Sequence, residues 1–155
     1  MLDLANKLNK LTLNTQYLLS FFAGLILVFA YAPFNFWPIT LVVLIFWLLL
    51  LENKKTSEAT KLGFFFSFGW FSAGISWVHV SIDQFGGMPL AISLLLMLIL
   101  CLYLAIYPAL ACYLSSRFNH NHFNAWLLPS FWLVSEYLRS IVLTGFPWLH
   151  WAIAK

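Results

Sequence analysis

The chain has 155 residues, of which 63% are hydrophobic and only 8% charged. A soluble domain carries about 25% charged residues, and one this small could not bury so much apolar side chain. The composition therefore excludes a water-soluble globule and predicts an all-α membrane protein of one domain, residues 1–155. The formal net charge of +3 comes from a few scattered basic residues, which excludes a nucleic-acid surface.

Lys7 and Lys10 precede the first apolar run, but no small-residue cleavage site follows it. The run is read as a retained helix and not a secretory leader. No charge occurs between Lys10 and Glu52, a stretch about twice the ~20 residues that cross a hydrocarbon core. Pro33 and Pro38, with Asn35 between them, punctuate its middle. Proline removes a backbone donor and disfavours helix in the preceding residue. The stretch thus divides into helices over residues 16–32 and 37–51, joined by a tight turn.

The polar segment 52–61 reads as a loop. A third helix follows over residues 62–81, dense in Phe and Trp. Its Gly63 and Ser67, and its Gly69 and Ala73, are small pairs four apart, which in lipid let helix backbones approach closely. Asp83, Gly86, Gly87 and Pro89 end it. The fourth helix covers residues 90–114, with Pro108 inside it predicting a kink, and the fifth covers 125–143. The expected architecture is a polytopic bundle of about five transmembrane helices.

Lys7, Lys10, Lys54, Lys55, Lys61 and Arg117 all fall on one side of that meander, whereas the turns 33–38 and 83–89 contain no Lys or Arg. The positive-inside rule places the N-terminus in the cytoplasm. Trp37, Trp77, Trp148 and Trp151 then lie near the outer surface, where amphipathic rings are favoured.

Glu136 and Arg139 lie three apart and share a helix face. An ionisable group at membrane depth is expensive, so the pair reads either as a functional site or as an ion pair tethering the helix. The run Asp83–Phe85–Gly86–Gly87 reads as a turn between helices or as a loop that approaches a lipid headgroup. His79 reads as a hydrogen-bonded structural residue. His120 and His122 have no accompanying carboxylate or thiol, so no metal is expected. Cys101 and Cys112 match neither a zinc motif nor a CxxC pair and read as small apolar residues facing lipid or a neighbouring helix. No nucleophile elbow, P-loop or dinucleotide fingerprint occurs, and no cofactor is expected.

Five short runs occur in order: Ala30-Tyr31-Ala32-Pro33-Phe34 before Trp37-Pro38; Gly74-Ile75-Ser76-Trp77-Val78-His79-Val80-Ser81; Phe85-Gly86-Gly87-Met88-Pro89; Glu136-Tyr137-Leu138-Arg139; and Thr144-Gly145-Phe146-Pro147-Trp148-Leu149. Each is weak alone. As an ordered set, from about Leu18 to Leu149, they resemble the amino-terminal membrane region of the apolipoprotein N-acyltransferases of the bacterial inner membrane. The resemblance implies a multi-pass inner-membrane location and two partners, a membrane phospholipid as acyl donor and a diacylglyceryl apolipoprotein as acceptor. In the family a cysteine thiol takes the acyl chain as a thioester, and the free α-amino group of the lipoprotein's diacylglyceryl-cysteine then takes it as an amide. That thiol belongs to a nitrilase-like domain with a Glu-Lys-Cys triad.

None of the triad residues is matched here, and neither Cys101 nor Cys112 corresponds to the nucleophile. The tail from His150 to Lys155 departs from the family pattern, as a truncated or frame-shifted gene would explain. The expectation is a membrane portion without catalytic residues, inactive alone. The resemblance makes Asp83, Phe85, Gly86, Gly87, Glu136, Arg139, Phe146, Pro147 and Trp148 candidates for lipid entry or for docking of the catalytic domain. The alternative is a small self-contained membrane protein, a transporter subunit or scaffold.

Overall fold

A computed structural model describes residues 7–31, 34–120 and 122–142. Among these residues the chain is helical and forms no strand. In order come α1 (Leu13–Leu27), continued by a 3-10 turn over Val28–Ala30, then α2 (Pro38–Leu51), α3 (Thr56–Gly74), α4 (Val78–Gly86), α5 (Leu90–Arg117) and α6 (Leu128–Ile141). The segment from Leu13 to Ala30 and the whole of α5 are long and apolar enough to cross a membrane. The apolar α2 has 14 residues, about 21 Å at 1.5 Å per residue.

The third predicted helix differs most from expectation. It begins at Thr56, six residues earlier than the reading that made 52–61 a loop. Glu58 caps it, accepting from the Lys55 backbone N–H at 3.4 Å, which satisfies an otherwise orphaned donor of the first turn. It also stops at Gly74, and a separate α4 starts at Val78. At the break the Ser76 hydroxyl donates to the Ala73 carbonyl at 2.9 Å, a local bond that competes with helix continuation. Gly87, with φ 61°, ends α4 in the left-handed region, and Pro89 precedes α5. Pro129 in the first turn of α6 fits the one place where a missing N–H costs nothing. Helix α5 continues through Pro108 as a single element. The turn expected over 33–38 lies partly outside the described residues.

α3 is the central helix, packed along α1 on one side and α5 on the other. The approach to α1 is at backbone distance. A Cβ on Gly24 would collide with the Phe66 carbonyl, and one on Gly69 with the Phe21 carbonyl. Gly63 instead faces α5, where an added Cβ would lie 2.7 Å from the Cys112 Sγ. The small residues of α3 thus serve two faces, not one: Gly63 and Gly69 are six residues apart, about 120° around a helix with 3.6 residues per turn. Between the helices, the Trp47 indole N–H donates to the Ser20 hydroxyl at 3.1 Å, and Ser20 donates to the Leu62 carbonyl at 2.8 Å. One buried serine therefore joins α1, α2 and α3. The Trp47 ring stacks on Phe66 with centroids 4.2 Å apart.

One end of the bundle gathers the segments that carry the basic residues. The Asn9 side-chain amide donates to the Glu52 carbonyl at 3.3 Å, and Gln16 donates to the carbonyls of Leu8 and Leu11. The Phe123 N–H donates to the Lys54 carbonyl at 2.9 Å, and an isolated antiparallel bridge pairs Lys55 with His122. The chain before α1, the α2–α3 link and the α5–α6 link are thereby tied together. Lys54 is enclosed in this clasp, and burial pushes its ammonium below the usual lysine range, with Glu58 opposing the shift.

The exterior is aliphatic and aromatic. Leu18, Phe22 and Ile26 are exposed along α1, Phe29 in the 3-10 turn after it, and Leu41, Val42 and Ile45 along α2. The interior holds Gln16, Ser20, Ser67, Ser93, Ser115, Ser116 and Ser135 beside its large rings. This sorting suits a solvent as apolar as leucine.

Candidate functional site

The site begins with the charged residues inside the bundle. Glu136 and Arg139 occupy one face of α6, three residues apart as a helix requires, and both are buried, at 6% and 3% exposure. The Arg139 guanidinium donates to the Glu136 carboxylate. Its Cζ also lies 5.5 Å from the centroid of the Phe71 ring on α3, a cation–π contact that gains from desolvation.

Two other elements complete the surroundings. Tyr31, at the end of the 3-10 turn after α1, stacks on Trp70 with centroids 6.1 Å apart, and Trp70 stacks on Phe71 at 5.0 Å. Tyr31 lies within electrostatic reach of both Glu136 and Arg139. From α5, Tyr107 reaches Arg139 electrostatically, and its hydroxyl touches that of Tyr103. Four segments thus converge on one ion pair: the end of the 3-10 turn after α1, the last turn of α3, the middle of α5 and the last two turns of α6. Phe71 lies 15 residues beyond Thr56 and Arg139 lies 11 beyond Leu128, so the cluster sits about 22 Å and 17 Å along those helices from the basic end. A hydrocarbon core is ~30 Å thick.

The other predicted site residues fall elsewhere. Asp83, Phe85 and Gly86 lie on α4 with Gly87 at its end, and α4 packs against α5. Phe85 is 88% exposed, far more open than anything around the ion pair. Phe146, Pro147 and Trp148 lie outside the described residues. Trp37 and Trp77 are exposed at the end opposite the clasp; Trp148 and Trp151 lie outside the described residues. Cys101 and Cys112 are both fully buried against neighbouring helices. Among the described residues no group of His, Cys, Asp or Glu could hold a metal ion. The His79 Nδ1 contacts the Ser76 carbonyl within the α3–α4 break.

The family model for the N-terminal domain of apolipoprotein N-acyltransferase matches residues 23–155. The chain belongs to this family. The match runs through His150–Lys155, so the tail that departs from the short motifs still lies inside the matched region. An apolipoprotein N-acyltransferase of Vibrio cholerae serotype O1 is 47% identical over 131 residues, covering 83% of this chain and 26% of that protein. One from Haemophilus influenzae is 41% identical over 139 residues, covering 90% of this chain and 26% of that protein. One from Shewanella oneidensis is 43% identical over 141 residues, with coverage of 86% and 27%. The chain therefore spans about a quarter of the length of these family members.

Tyr31, Phe71, Tyr103 and Tyr107 were not singled out by the sequence. Tyr31 stands inside one of the family-like runs, and that was its only signal. The tyrosines four apart on α5 share a helix face, but nothing in the spacing says which neighbour that face meets.

Proposed function

We propose that the chain is the membrane portion of an apolipoprotein N-acyltransferase. That enzyme would move a fatty acyl chain from a phospholipid to the N-terminal diacylglyceryl-cysteine of bacterial lipoproteins. The portion lies in the bacterial inner membrane as a multi-pass bundle with its N-terminus in the cytoplasm. Support for the topology comes from the clasp: the segments carrying Lys7, Lys10, Lys54, Lys55 and Arg117 are tied together at one end, as the positive-inside rule requires of cytoplasmic links.

The observation that carries the functional reading is the buried ion pair of Glu136 and Arg139, enclosed by aromatic residues from three other segments, in a chain of this family. Charges held at this depth mark functional positions by default. Glu136 and Arg139 handle lipid within the bundle. Asp83, Phe85, Gly86 and Gly87 lie at the opposite end, where a catalytic domain docks and lipid enters, a role shared by Phe146, Pro147 and Trp148. Cys101 and Cys112 are committed to helix packing and are not assigned as the acyl-carrying thiol. By itself this portion has no acyl-transfer activity.

The test is a chimera in which this chain replaces the matching quarter of the Vibrio cholerae enzyme. A lipoprotein reporter should gain its N-acyl chain when the chimera is the sole source of the activity. A chimera that inserts stably and leaves the reporter's amino group free would contradict the proposal.

A further inference from the structure

Helix α6 is built inside out. Its bundle-facing side carries Ser135, Glu136 and Arg139, all buried, whereas Leu133, Val134, Tyr137, Leu138 and Ile141 stand exposed. The apolar side suits lipid, but the polar side finds shelter only against other helices. Three elements supply that shelter. Phe131 stacks on Phe118 at the end of α5, with centroids 5.3 Å apart. Trp132 and Trp47 of α2 meet edge to face at 6.1 Å. Arg139 lies over the Phe71 ring of α3. These anchors run from the first turn of α6 to its last.

Without them α6 is a poor span. Among the described residues, Leu13–Ala30 and α5 are long and apolar enough to cross a membrane, and α2 is a shorter apolar helix; α6 meets neither description. One deep charge offsets roughly five or more apolar side chains during insertion. α6 sets Glu136 and Arg139 against Leu128, Phe131, Leu133, Val134, Leu138 and Ile141. The bond between the two charges repays only part of the cost of taking both from water. The charges of α3 raise no such barrier, because Glu58 and Lys61 sit in its first two turns, at the basic end.

We propose that α6 is a conditional span, which enters the membrane only by docking onto α2, α3 and α5. The earlier helices therefore decide on which side of the membrane the chain after α6 is delivered. This rests on the multi-pass reading with a cytoplasmic N-terminus, and adds to it a control on assembly. In the Vibrio cholerae relative the matched region is 26% of the protein, and the family model describes it as N-terminal. Most of such a protein follows this helix, so the docking step governs its delivery.

The experiment fuses alkaline phosphatase, a disulfide-dependent enzyme that is active only outside the cytoplasm, after Lys155 of the full chain. Activity per pulse-labelled fusion protein reports whether α6 spans. The unsubstituted chain should be active. Trp47→Ala with Phe71→Ala leaves α6 untouched, removes two of its anchors and should lower activity at least about fivefold. Adding Glu136→Leu and Arg139→Leu makes α6 apolar enough to enter unaided and should restore activity to near the unsubstituted level. External labelling of a Gln84→Cys site, unchanged across the series, shows α1 to α5 in place. Phe71→Leu keeps the bulk, removes the ring face and should lower activity about twofold; it carries the test if the double variant displaces Gln84. Undiminished activity after loss of the anchors would overturn the proposal. So would a charge-free α6 that still fails to enter, or an inactive unsubstituted fusion with Gln84→Cys labelled from outside. Wrong-sided labelling of Ser57→Cys and Gln84→Cys would sink the multi-pass reading. Correct labelling with α6 spanning in every variant would sink this inference alone.

Discussion

The two halves of α5 have opposite surroundings. Over residues 90–100 only Ser93 is buried, and Leu90, Ile92, Leu94, Leu95, Leu96, Leu98 and Ile99 stand exposed. Over residues 101–117 the burial inverts. Cys101, Leu104, Ala105, Pro108, Ala109, Ala111, Cys112, Ser115 and Ser116 are all enclosed against the bundle. The halves differ in side-chain size and polarity, and it is the more apolar half that lies outside. The second half is rich in Ala, Cys and Ser, and it lies where Gly63 lets α3 come close. In a bilayer, leucine gains nothing by leaving lipid, so close packing and buried hydrogen bonds select what goes inside. The first half of α5, together with α4, forms an arm whose leucines stand exposed outside the bundle.

The comparison can be broken most severely at the helix contact. Gly24→Leu forces a side chain against the Phe66 carbonyl, which cannot rotate away. We expect loss of about 3 kcal/mol or more, read as failure to recover folded chain from detergent extracts. A well-folded Gly24→Leu chain would show that α1 and α3 are not held at backbone distance.

Next in size is the ion pair. Arg139→Ala strands a buried carboxylate and should destabilise the bundle by about 3–5 kcal/mol. Combining it with Glu136→Gln removes the orphan charge and should recover a large part of that loss. Thermal unfolding across the four members of the cycle measures the coupling; strictly additive effects would mean that the two residues do not interact.

The smallest effects sharpen the contrast between inside and outside. Ser20→Ala leaves the Trp47 N–H and the Leu62 carbonyl without their shared partner and should cost about 1–3 kcal/mol. Ile99→Ala removes more apolar volume, but from the exposed half of α5, and should shift stability by less than about 0.5 kcal/mol. If Ile99→Ala costs more than Ser20→Ala, the arm is packed against something other than lipid.

Much of the frame was legible in the residues. Apolar run length and the punctuation at Pro38 and Pro89 located α2 and the start of α5 within a few residues, whereas Asp83–Gly86, read as a turn or loop, lies within α4. Two features were missed for local reasons. Glu58 starts α3 by capping it, and the capping pattern was hidden inside a segment judged only by polarity. Ser76 ends α3 by bonding back to Ala73, a competition that apolar periodicity does not register. The Glu136–Arg139 pair was visible because both partners share a helix. Tyr31 and Tyr107 were not, because their meeting depends on how four segments cross, and one chain's spacing carries no such information. The same limit hid the division of Gly63 and Gly69 between two partners.

The account depends on the basic end of the bundle lying in the cytoplasm and the α4 end lying outside. Single cysteines at Ser57 and at Gln84, both exposed positions, test this directly, because the native Cys101 and Cys112 are buried and shielded from reagent. A membrane-impermeant maleimide applied to intact spheroplasts should label Gln84→Cys and leave Ser57→Cys unlabelled until the membrane is opened. Labelling of Ser57→Cys from outside, or equal labelling of the two sites, would contradict the account.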